Sequence, residues 1–284
     1  MIVKNESEIL AKCLESLQGF DEIVVCDTGS EDNTIEIAKQ FGAKVFTDYQ
    51  WEDHYANARN HAIRKCHGNW ILFIDADEQL LTPVKEIKQI ISDKAYNLDS
   101  LDVIMMSNGK ESHRLPRLFR NNPDKIFYKG RNQEALSIIE KNPSEIKINF
   151  GWSPAHLKDP DRNLRMLQKA IAEDPNCLRE LYYLAREWFY KQEWEKALWW
   201  WTRYLKRAWW VPEWADTWLY VARCHWNLGD NELARDACLQ ALKINANFKE
   251  ALHFLASLCD PINGKQWLSM AETASNESVL FIRT

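Results

Sequence analysis

The sequence predicts an α/β domain followed by an all-α domain of helical repeats. Apolar stretches with strand and helix periodicity alternate through about residue 80, which is typical of a sheet built from right-handed crossovers. Shorter extended segments follow between residues 101 and 150, and helical periodicity dominates beyond residue 161. Because prolines and a glycine interrupt both periods at 151–160, we place the boundary there and predict domains at residues 1–158 and 159–284.

The first 70 residues contain three predicted strand and helix pairs. The predicted strands are residues 1–3, 22–26 and 43–46, and the predicted helices are 7–17, 32–41 and 54–67. Ser7 is the expected N-cap of the first helix. Gly42 and Gly68 are the expected C-terminal stops of the second and third helices.

An unbroken apolar run from Trp70 to Ile74 ends in three carboxylates, those of Asp75, Asp77 and Glu78. Such a run predicts a strand buried on both faces at the centre of a parallel sheet, with a ligand at its carboxyl end. Two carboxylates one residue apart can reach one Mg²⁺ or Mn²⁺ ion, which prefers oxygen donors and shares them with phosphate. The alternative is that Asp75 and Asp77 cap the next helix, which Thr82-Pro83 would begin.

Five shorter extended segments follow the carboxylates. We expect them to add antiparallel strands beside the parallel core. They are residues 101–106, 113–120, 126–129, 135–139 and 146–150.

The C-terminal part contains three self-similar helical windows. Ala185, Ala222 and Ala256 occupy equivalent positions at spacings of 37 and 34 residues. A helical hairpin repeat of this length with small residues at the helix contact is the tetratricopeptide pattern. Because so few repeats bury little surface alone, we expect the array to pack against the first domain.

Ten of the fourteen tryptophans lie between Trp188 and Trp226, so the repeats are rich in flat aromatic faces. These rings can pack the helices together or can form a surface for an acceptor that is a sugar or a peptide. The usual repeat geometry would place Arg186 and Arg223 one repeat apart in an inner groove, suited to an acidic partner. The other expected groove residues are Tyr182, Phe189, Tyr190, Leu219, Trp226 and Asn227.

Composition excludes some classes of function. The net charge of −5 and the pI near 5.9 provide no overall basic field for nucleic acid or an anionic membrane. Seven scattered cysteines without a Cys-x-x-Cys pair suggest reduced thiols in a cytoplasmic protein. No stretch approaches the ~20 apolar residues of a membrane span, and no segment resembles a signal peptide.

Four motifs, taken together in their order and spacing, resemble the family 2 glycosyltransferases of GT-A fold. The most similar subgroup comprises bacterial and phage-type members with C-terminal tetratricopeptide repeats. The resemblance implies a Rossmann-like nucleotide-diphospho-sugar transferase domain that moves a hexose from a UDP-sugar to an acceptor with inversion. The motifs are Met1 to Glu6, Asp21 to Ser30, Ala58-Arg59-Asn60 and Ile74 to Glu78; Arg117 to Arg120 and Arg162 to Arg165 also resemble the subgroup.

The resemblance assigns roles to residues around the donor. Asp27 would accept hydrogen bonds from the base or ribose, and Arg59 would contact the base or diphosphate. Asp75 would face the ribose or metal-bound water, and Asp77 would coordinate the Mn²⁺ or Mg²⁺ ion that bridges both phosphates. Asn5 and Glu6 would lie in the loop beside the nucleotide.

Simpler structural roles are possible for three of these residues. Asp27 could begin an Asx-type turn before the next helix. Arg59 could be an exposed helix cation in an ordinary surface pair. Glu6 could cap the first helix instead of touching ligand.

The chain departs from its relatives at two places. Gln133 replaces the histidine of a His-Glu pair, and Glu134 remains as the candidate general base that takes the acceptor's proton. The relatives also have a histidine near the domain boundary that can complete the metal shell. Here His156 is the candidate third ligand, with Asn149 or water as the alternative.

Other functions remain compatible with parts of the pattern. A haloacid-dehalogenase-type phosphatase would use Asp75 as nucleophile and Asp77 as acid. A non-catalytic adaptor would use a transferase fold only to present peptide-binding repeats. A nucleotidyltransferase is weaker, because no Gly-rich phosphate loop is evident. The expected acceptor is a peptide, glycan or other macromolecule that contacts the repeats.

Overall fold

The computed structural model describes residues 1–94, 97–138 and 140–274, without the side chains of Lys94, Ala155 and His156. The chain divides into two compact units, Met1–Arg162 and Asn163–Thr284. The division follows Arg162, whereas the predicted boundary follows Lys158.

The first unit alternates short strands with helices and then continues into a mixed sheet. Its elements are β1 (Ile2–Val3), α1 (Leu10–Ser16), β2 (Val24–Asp27), α2 (Thr34–Gln40), β3 (Lys44–Phe46), α3 (Tyr55–Arg64), β4 (Trp70–Leu72), β5 (Gln79–Leu80), α4 (Val84–Lys94), β6 (Ser100–Ser107), β7 (Lys110–Arg120), β8 (Tyr128–Lys129), β9 (Ala135–Leu136), β10 (Pro143–Asn149) and a 3₁₀ helix (Pro154–Lys158).

Strands β1, β2 and β3 form a parallel sheet in that order, as the alternating pattern predicts. Helix α1 begins at Leu10, and its N-cap, Ile9, makes no side-chain capping bond. The prediction that Ser7 caps this helix is therefore wrong. The Ser7 N–H instead donates to Asp32 Oδ2 at 3.2 Å, and the backbone carbonyl of Glu6 accepts from the N–H groups of Ile9 and Leu10.

The second sheet has five strands in the order β4-β7-β6-β10-β5. Strand β4 pairs antiparallel with β7 at the end of this order, so the prediction of a central parallel strand is wrong. Its apolar run is buried because Phe73 and Ile74 pack into two different core clusters. Strand β10 pairs antiparallel with β5 but parallel with β6, so the expectation that the later segments add antiparallel strands is only partly correct.

The second unit is all α-helical and confirms the predicted repeat pattern. Ala185, Ala222 and Ala256 are buried in successive hairpins. Trp201 is fully buried and stacks on Tyr220, with ring centroids 4.8 Å apart. The helices are α5 (Arg162–Glu173), which leads in from the first unit, and the hairpins α6 (Leu178–Tyr190) with α7 (Trp194–Leu205), α8 (Val211–Asn227) with α9 (Asn231–Ile244), and α10 (Lys249–Ser257) with α11 (Pro261–Thr273).

The predicted inner groove is partly wrong. Tyr182 and Leu219 are both fully buried, and the Tyr182 hydroxyl donates to the buried carboxylate of Asp216. Tyr190 and Trp226 are exposed as expected. Helical periodicity shows which residues share one face of a helix, but it does not show whether that face lies against solvent or against a neighbouring helix.

All seven cysteines are free thiols. Among the described helices, none combines the length and the apolar character required to cross a lipid bilayer.

Candidate active site

A cavity of about 330 Å³ opens in the first unit where several chain segments leave their strands. Lys4 to Glu6 follow β1, Thr28 follows β2, and Asp75 to Glu78 follow β4. Ligands of α/β sheets bind at such carboxyl ends. Five predicted site residues line the cavity: Asn5, Glu6, Arg59, Asp75 and Asp77.

Arg59 lies in helix α3, whose first turn is capped by His54 Nδ1 accepting from the Asn57 N–H. The Arg59 side chain is almost completely buried, so the interpretation as an exposed surface cation is wrong. Its Nη1 donates to Asp75 Oδ1 at 2.8 Å and its Nη2 to Asp75 Oδ2 at 3.3 Å. The guanidinium also lies over the Phe73 ring, 4.6 Å from its centroid, which adds a cation–π contact to the ion pair.

Asp75 has a second arginine partner that the sequence motif did not identify as a site residue. Both terminal nitrogens of Arg117 donate to Asp75 Oδ2 at 3.2 Å. Burial opposes ionisation of Asp75, yet the positive charges of Arg59 and Arg117 lower its pKa. Both Asp75 oxygens therefore accept from guanidinium groups, and a metal ion would have to compete with them.

Glu78, the third carboxylate of the motif, is buried beneath this pair. Its Oε1 accepts from Arg117 at 3.1 Å and its Oε2 accepts from the Asp75 backbone N–H at 2.9 Å. Burial raises the pKa of Glu78 to about 7, although the charge of Arg117 acts in the opposite direction. Glu78 thus fixes both the arginine and the backbone that carries Asp75. Only its position beside Asp77 could have indicated it in the sequence.

Asp77 lines the cavity together with Glu6. Burial raises the pKa of Glu6, its hydrogen bond with Ser153 lowers it, and the negative charge of Asp77 raises it further. The next helix, α4, begins only at Val84, so the interpretation of Asp75 and Asp77 as its caps is wrong.

Gly151 fixes the backbone that carries Asp77. A Cβ atom at Gly151 would lie 1.5 Å from the carbonyl oxygen of Asp77, so only glycine fits this close approach. The segment after β10 therefore packs directly against the metal-ligand candidate.

Asp27 forms the Asx-type turn that the sequence predicts as its alternative role. Its Oδ2 accepts from the N–H groups of Gly29 and Ser30, both at 3.0 Å. Its Oδ1 is buried and has no hydrogen-bond partner in the described part of the chain. Asp27 itself is only 3% exposed and lies outside the cavity lining. Oδ2 therefore stabilises the loop, whereas Oδ1 accepts no hydrogen bond from the described residues.

Asn5 and Glu134 have definite structural partners. Asn5, with a φ of 57°, accepts from the Glu31 N–H at 2.7 Å and so connects the loops after β1 and β2. Glu134 Oε1 lies 2.8 Å from Arg59 Nη2. Arg59 thus bridges Asp75 and Glu134, while Glu134 itself is outside the cavity lining.

No group of three or more His, Cys, Asp or Glu side chains in the described ranges is arranged to hold a metal ion. The third ligand named from the sequence, His156, has a side chain outside the described set. Asn149 Nδ2 donates to the Phe150 carbonyl at 3.1 Å and does not line the cavity. The carboxylates of Asp77 and Glu6 are nevertheless oxygen donors of the type that Mg²⁺ and Mn²⁺ prefer.

Comparison with known proteins gives a family match over the same region. The model described as "Glycosyl transferase family 2" matches residues 1–140. A TPR repeat-containing protein of Synechococcus elongatus is 41% identical over 180 residues, covering 61% of this chain and 44% of that protein. The SPbeta prophage-derived glycosyltransferase SunS of Bacillus subtilis is 28% identical over 225 residues, covering 73% of this chain and 52% of that protein.

The chain spans about half the length of these curated relatives. Among solved structures, S. aureus TarS aligns with 90% of this chain and 54% of its own, at 15% identity and a TM-score of 0.44.

Proposed function

We propose that the protein transfers a sugar from a nucleotide-sugar donor to an acceptor, because the glycosyl transferase family 2 model matches residues 1–140 and a relative of 28% identity is a glycosyltransferase. The observation that carries this proposal is the cavity at the strand ends, where the carboxylates of Asp77 and Glu6 face the same space as arginine side chains. Its volume of about 330 Å³ lies within the range of small-molecule sites.

A UDP-sugar with Mn²⁺ or Mg²⁺ is the donor combination that we propose. Asp77 would be the principal metal ligand, with Glu6 as a second carboxylate of the lining. When bound, the divalent ion would neutralise the charge that develops on the leaving diphosphate. Asp75 would serve mainly to hold Arg59 and Arg117 in place, because both of its oxygens already accept from them.

The nucleoside part of the donor would use the unpartnered oxygen of Asp27. A buried carboxylate oxygen without a donor carries a desolvation cost that a base or ribose hydroxyl would remove. This supports the nucleoside role, since the other oxygen keeps the loop in shape by accepting from Gly29 and Ser30.

Inversion by a single displacement requires a carboxylate that takes the acceptor's proton as the sugar carbon is attacked. Glu134 is the carboxylate that we propose for this role. Arg59 would position its side chain through the ion pair between Nη2 and Oε1, which are 2.8 Å apart. Replacing Glu134 by glutamine should abolish transfer while leaving donor binding unchanged, and a loss of donor binding would instead make Glu134 a structural partner of Arg59.

The acceptor would be a peptide, glycan or other macromolecule that contacts the repeat unit. The exposed rings of Trp199 and Trp209 support this assignment, because flat aromatic faces suit both sugars and peptide side chains. A second cavity between α7 and α8, lined by Leu198, Trp218 and His225, lies in the same unit. Seven free thiols favour a reducing compartment, so we propose the cytoplasm as its location.

Calorimetry with UDP and Mn²⁺ tests the function directly. Wild-type protein should bind UDP with a metal-dependent heat that EDTA removes. Asp77→Ala should weaken this binding by more than about tenfold, because loss of even an outer-shell partner of a metal typically costs 10- to 100-fold in affinity. Asp124→Ala, the same change at an exposed position of the same unit, should match wild type.

A panel of nucleotide sugars would then identify the donor through metal-dependent hydrolysis. A wild-type protein that binds no nucleotide in the presence of Mn²⁺ would overturn the enzymatic proposal in favour of the adaptor. Turnover of p-nitrophenyl phosphate without any nucleotide-sugar turnover would favour the phosphatase instead.

A further inference from the structure

Three arginines line the cavity, and they differ in how their charge is compensated. Arg59 contacts Asp75 and Glu134, and Arg117 contacts Asp75 and Glu78. The third, Arg162, has no carboxylate within ion-pair distance among the residues that the structure describes, and its Nε is buried without a hydrogen-bond partner. A cation that faces a cavity without an anionic partner is a candidate for binding an anionic ligand.

The aromatic ring of Tyr55 positions the Arg162 guanidinium. The Arg162 Cζ atom lies over this ring, 5.6 Å from its centroid. Tyr55 is itself held in place, because its N–H donates to the Arg131 carbonyl at 2.9 Å and Trp51 packs edge-on against its ring at 5.3 Å. Stacking on an aromatic face orients a guanidinium and leaves its N–H groups available for other acceptors.

The acidic residues of the lining form no ion pair with Arg162 in the described part of the chain. Asp75 and Glu78 pair with other arginines, and the Glu6 carboxylate accepts from the Ser153 hydroxyl. Asp77 and Asp159 complete the acidic lining, and Lys4 and Lys158 add positive charge to it. Burial raises the pKa of Glu6, and the positive charge of Arg162 acts in the opposite direction. The two groups therefore lie close enough to interact electrostatically without forming a direct ion pair.

We propose that Arg162 binds the diphosphate of the nucleotide donor, with its guanidinium positioned by Tyr55. This assignment rests on the proposed function, which supplies the diphosphate. A guanidinium matches phosphate oxygens with two parallel N–H donors, and such charge-assisted hydrogen bonds are about twice as strong as neutral ones. Asp77 would hold the metal and Arg162 would donate to the phosphate oxygens, so two chain segments that are far apart in sequence would bind the same diphosphate.

The test is calorimetry in the presence of Mn²⁺ with three probes, namely UDP, inorganic pyrophosphate and uridine. Arg162→Gln should weaken binding of UDP and pyrophosphate by about 10- to 100-fold, as expected for loss of a hydrogen-bonded charge. Uridine, which carries no phosphate, should bind both proteins alike. Arg64→Gln is the matched control, because Arg64 is an exposed arginine in the same unit outside the cavity lining, and it should match wild type for every probe.

A conservative variant separates a binding role from a structural one. Arg162→Lys keeps the charge but loses the paired donors, so it should show an intermediate loss of UDP affinity and an unchanged thermal midpoint. Equal affinity of wild type and Arg162→Gln for UDP and pyrophosphate would overturn the assignment. If Asp77→Ala then still abolished UDP binding, the proposed function would stand without Arg162. Failure of the wild type to bind either phosphate probe would overturn both.

Discussion

Arg59 and Asp75 form a two-point ion pair, with Nη1 to Oδ1 at 2.8 Å and Nη2 to Oδ2 at 3.3 Å. The contact joins helix α3 to the segment that follows strand β4 through one buried guanidinium. Because Arg59 also contacts Glu134, its removal would leave a second carboxylate without its cation. The same contact therefore shapes the cavity and stabilises the domain.

Arg59→Met should lower the free energy of unfolding by about 3 to 5 kcal/mol, the usual cost of breaking a buried ion pair by removing one partner. Urea titration of the full chain at neutral pH would measure this loss. Arg64→Met makes the same change at an exposed position of the same helix and should alter stability by less than about 0.5 kcal/mol. Equal stability of the two variants would contradict the prediction that the Arg59 ion pair stabilises the first unit.

Gly151→Ala should impair the metal site through the backbone of Asp77. The added Cβ would lie 1.5 Å from the Asp77 carbonyl oxygen, so one of the two segments must move. We expect a loss of about 1 to 3 kcal/mol in stability, as in overpacked sites, and weaker Mn²⁺-dependent UDP binding. Gly68→Ala is the control, because its Cβ would meet only the Trp70 carbonyl at 3.4 Å. If both variants bound UDP equally well, the Gly151 contact would have no part in placing Asp77.

The parallel part of the fold could be predicted from the sequence because its elements alternate locally. Strands β1, β2 and β3 each lie within two residues of a predicted strand, and glycine 42 ends α2 with a positive φ of 77°. The pairing of β4 could not be predicted, since an apolar run signals burial and not its partner. Ile71 packs in one core cluster, and Trp70 and Leu72 pack against another, so β4 carries the apolar pattern of a central strand although it lies at the sheet edge.

The sequence placed part of the site. Asp75 and Asp77 follow a strand, where topology brings side chains together, whereas Arg59 lies in the middle of helix α3 and only the family resemblance indicated it. The Arg117 partner of Asp75 lies 42 residues away, and no local pattern encodes a contact at that separation. Glu78 belongs to the local acidic motif, but its hydrogen bond with the same distant arginine is not encoded there.

Tyr182→Phe should destabilise the repeat unit. The Tyr182 hydroxyl donates to Asp216, and both residues are buried, so the variant would leave a buried carboxylate without this donor. The expected cost is about 1 to 3 kcal/mol in the free energy of unfolding. Tyr190→Phe is the control, because this ring is exposed and its hydroxyl lies 3.3 Å from the hydroxyl of Tyr220, with no carboxylate bonded to the Tyr190 hydroxyl in the described part of the chain. Urea titration should show little change for the control, and a similar curve for Tyr182→Phe would contradict the role of the buried bond.

Glu78 should make the stability of the first unit depend on pH. Burial raises its pKa to about 7 from an ordinary 4.5, so between these values the folded protein holds a proton that the unfolded chain has released. The free energy of unfolding should therefore fall as the pH rises through this window, by at most about 3.4 kcal/mol at 1.36 kcal/mol for each pKa unit. Glu78→Gln cannot titrate, and its stability should fall less than that of wild type over the same range. Glu86→Gln changes an exposed residue of α4 and should follow the wild-type curve. Urea titrations at several pH values would measure the free energy of unfolding of the three proteins. If it changed with pH equally in wild type and Glu78→Gln, Glu78 would remain charged when it is buried beside Arg117.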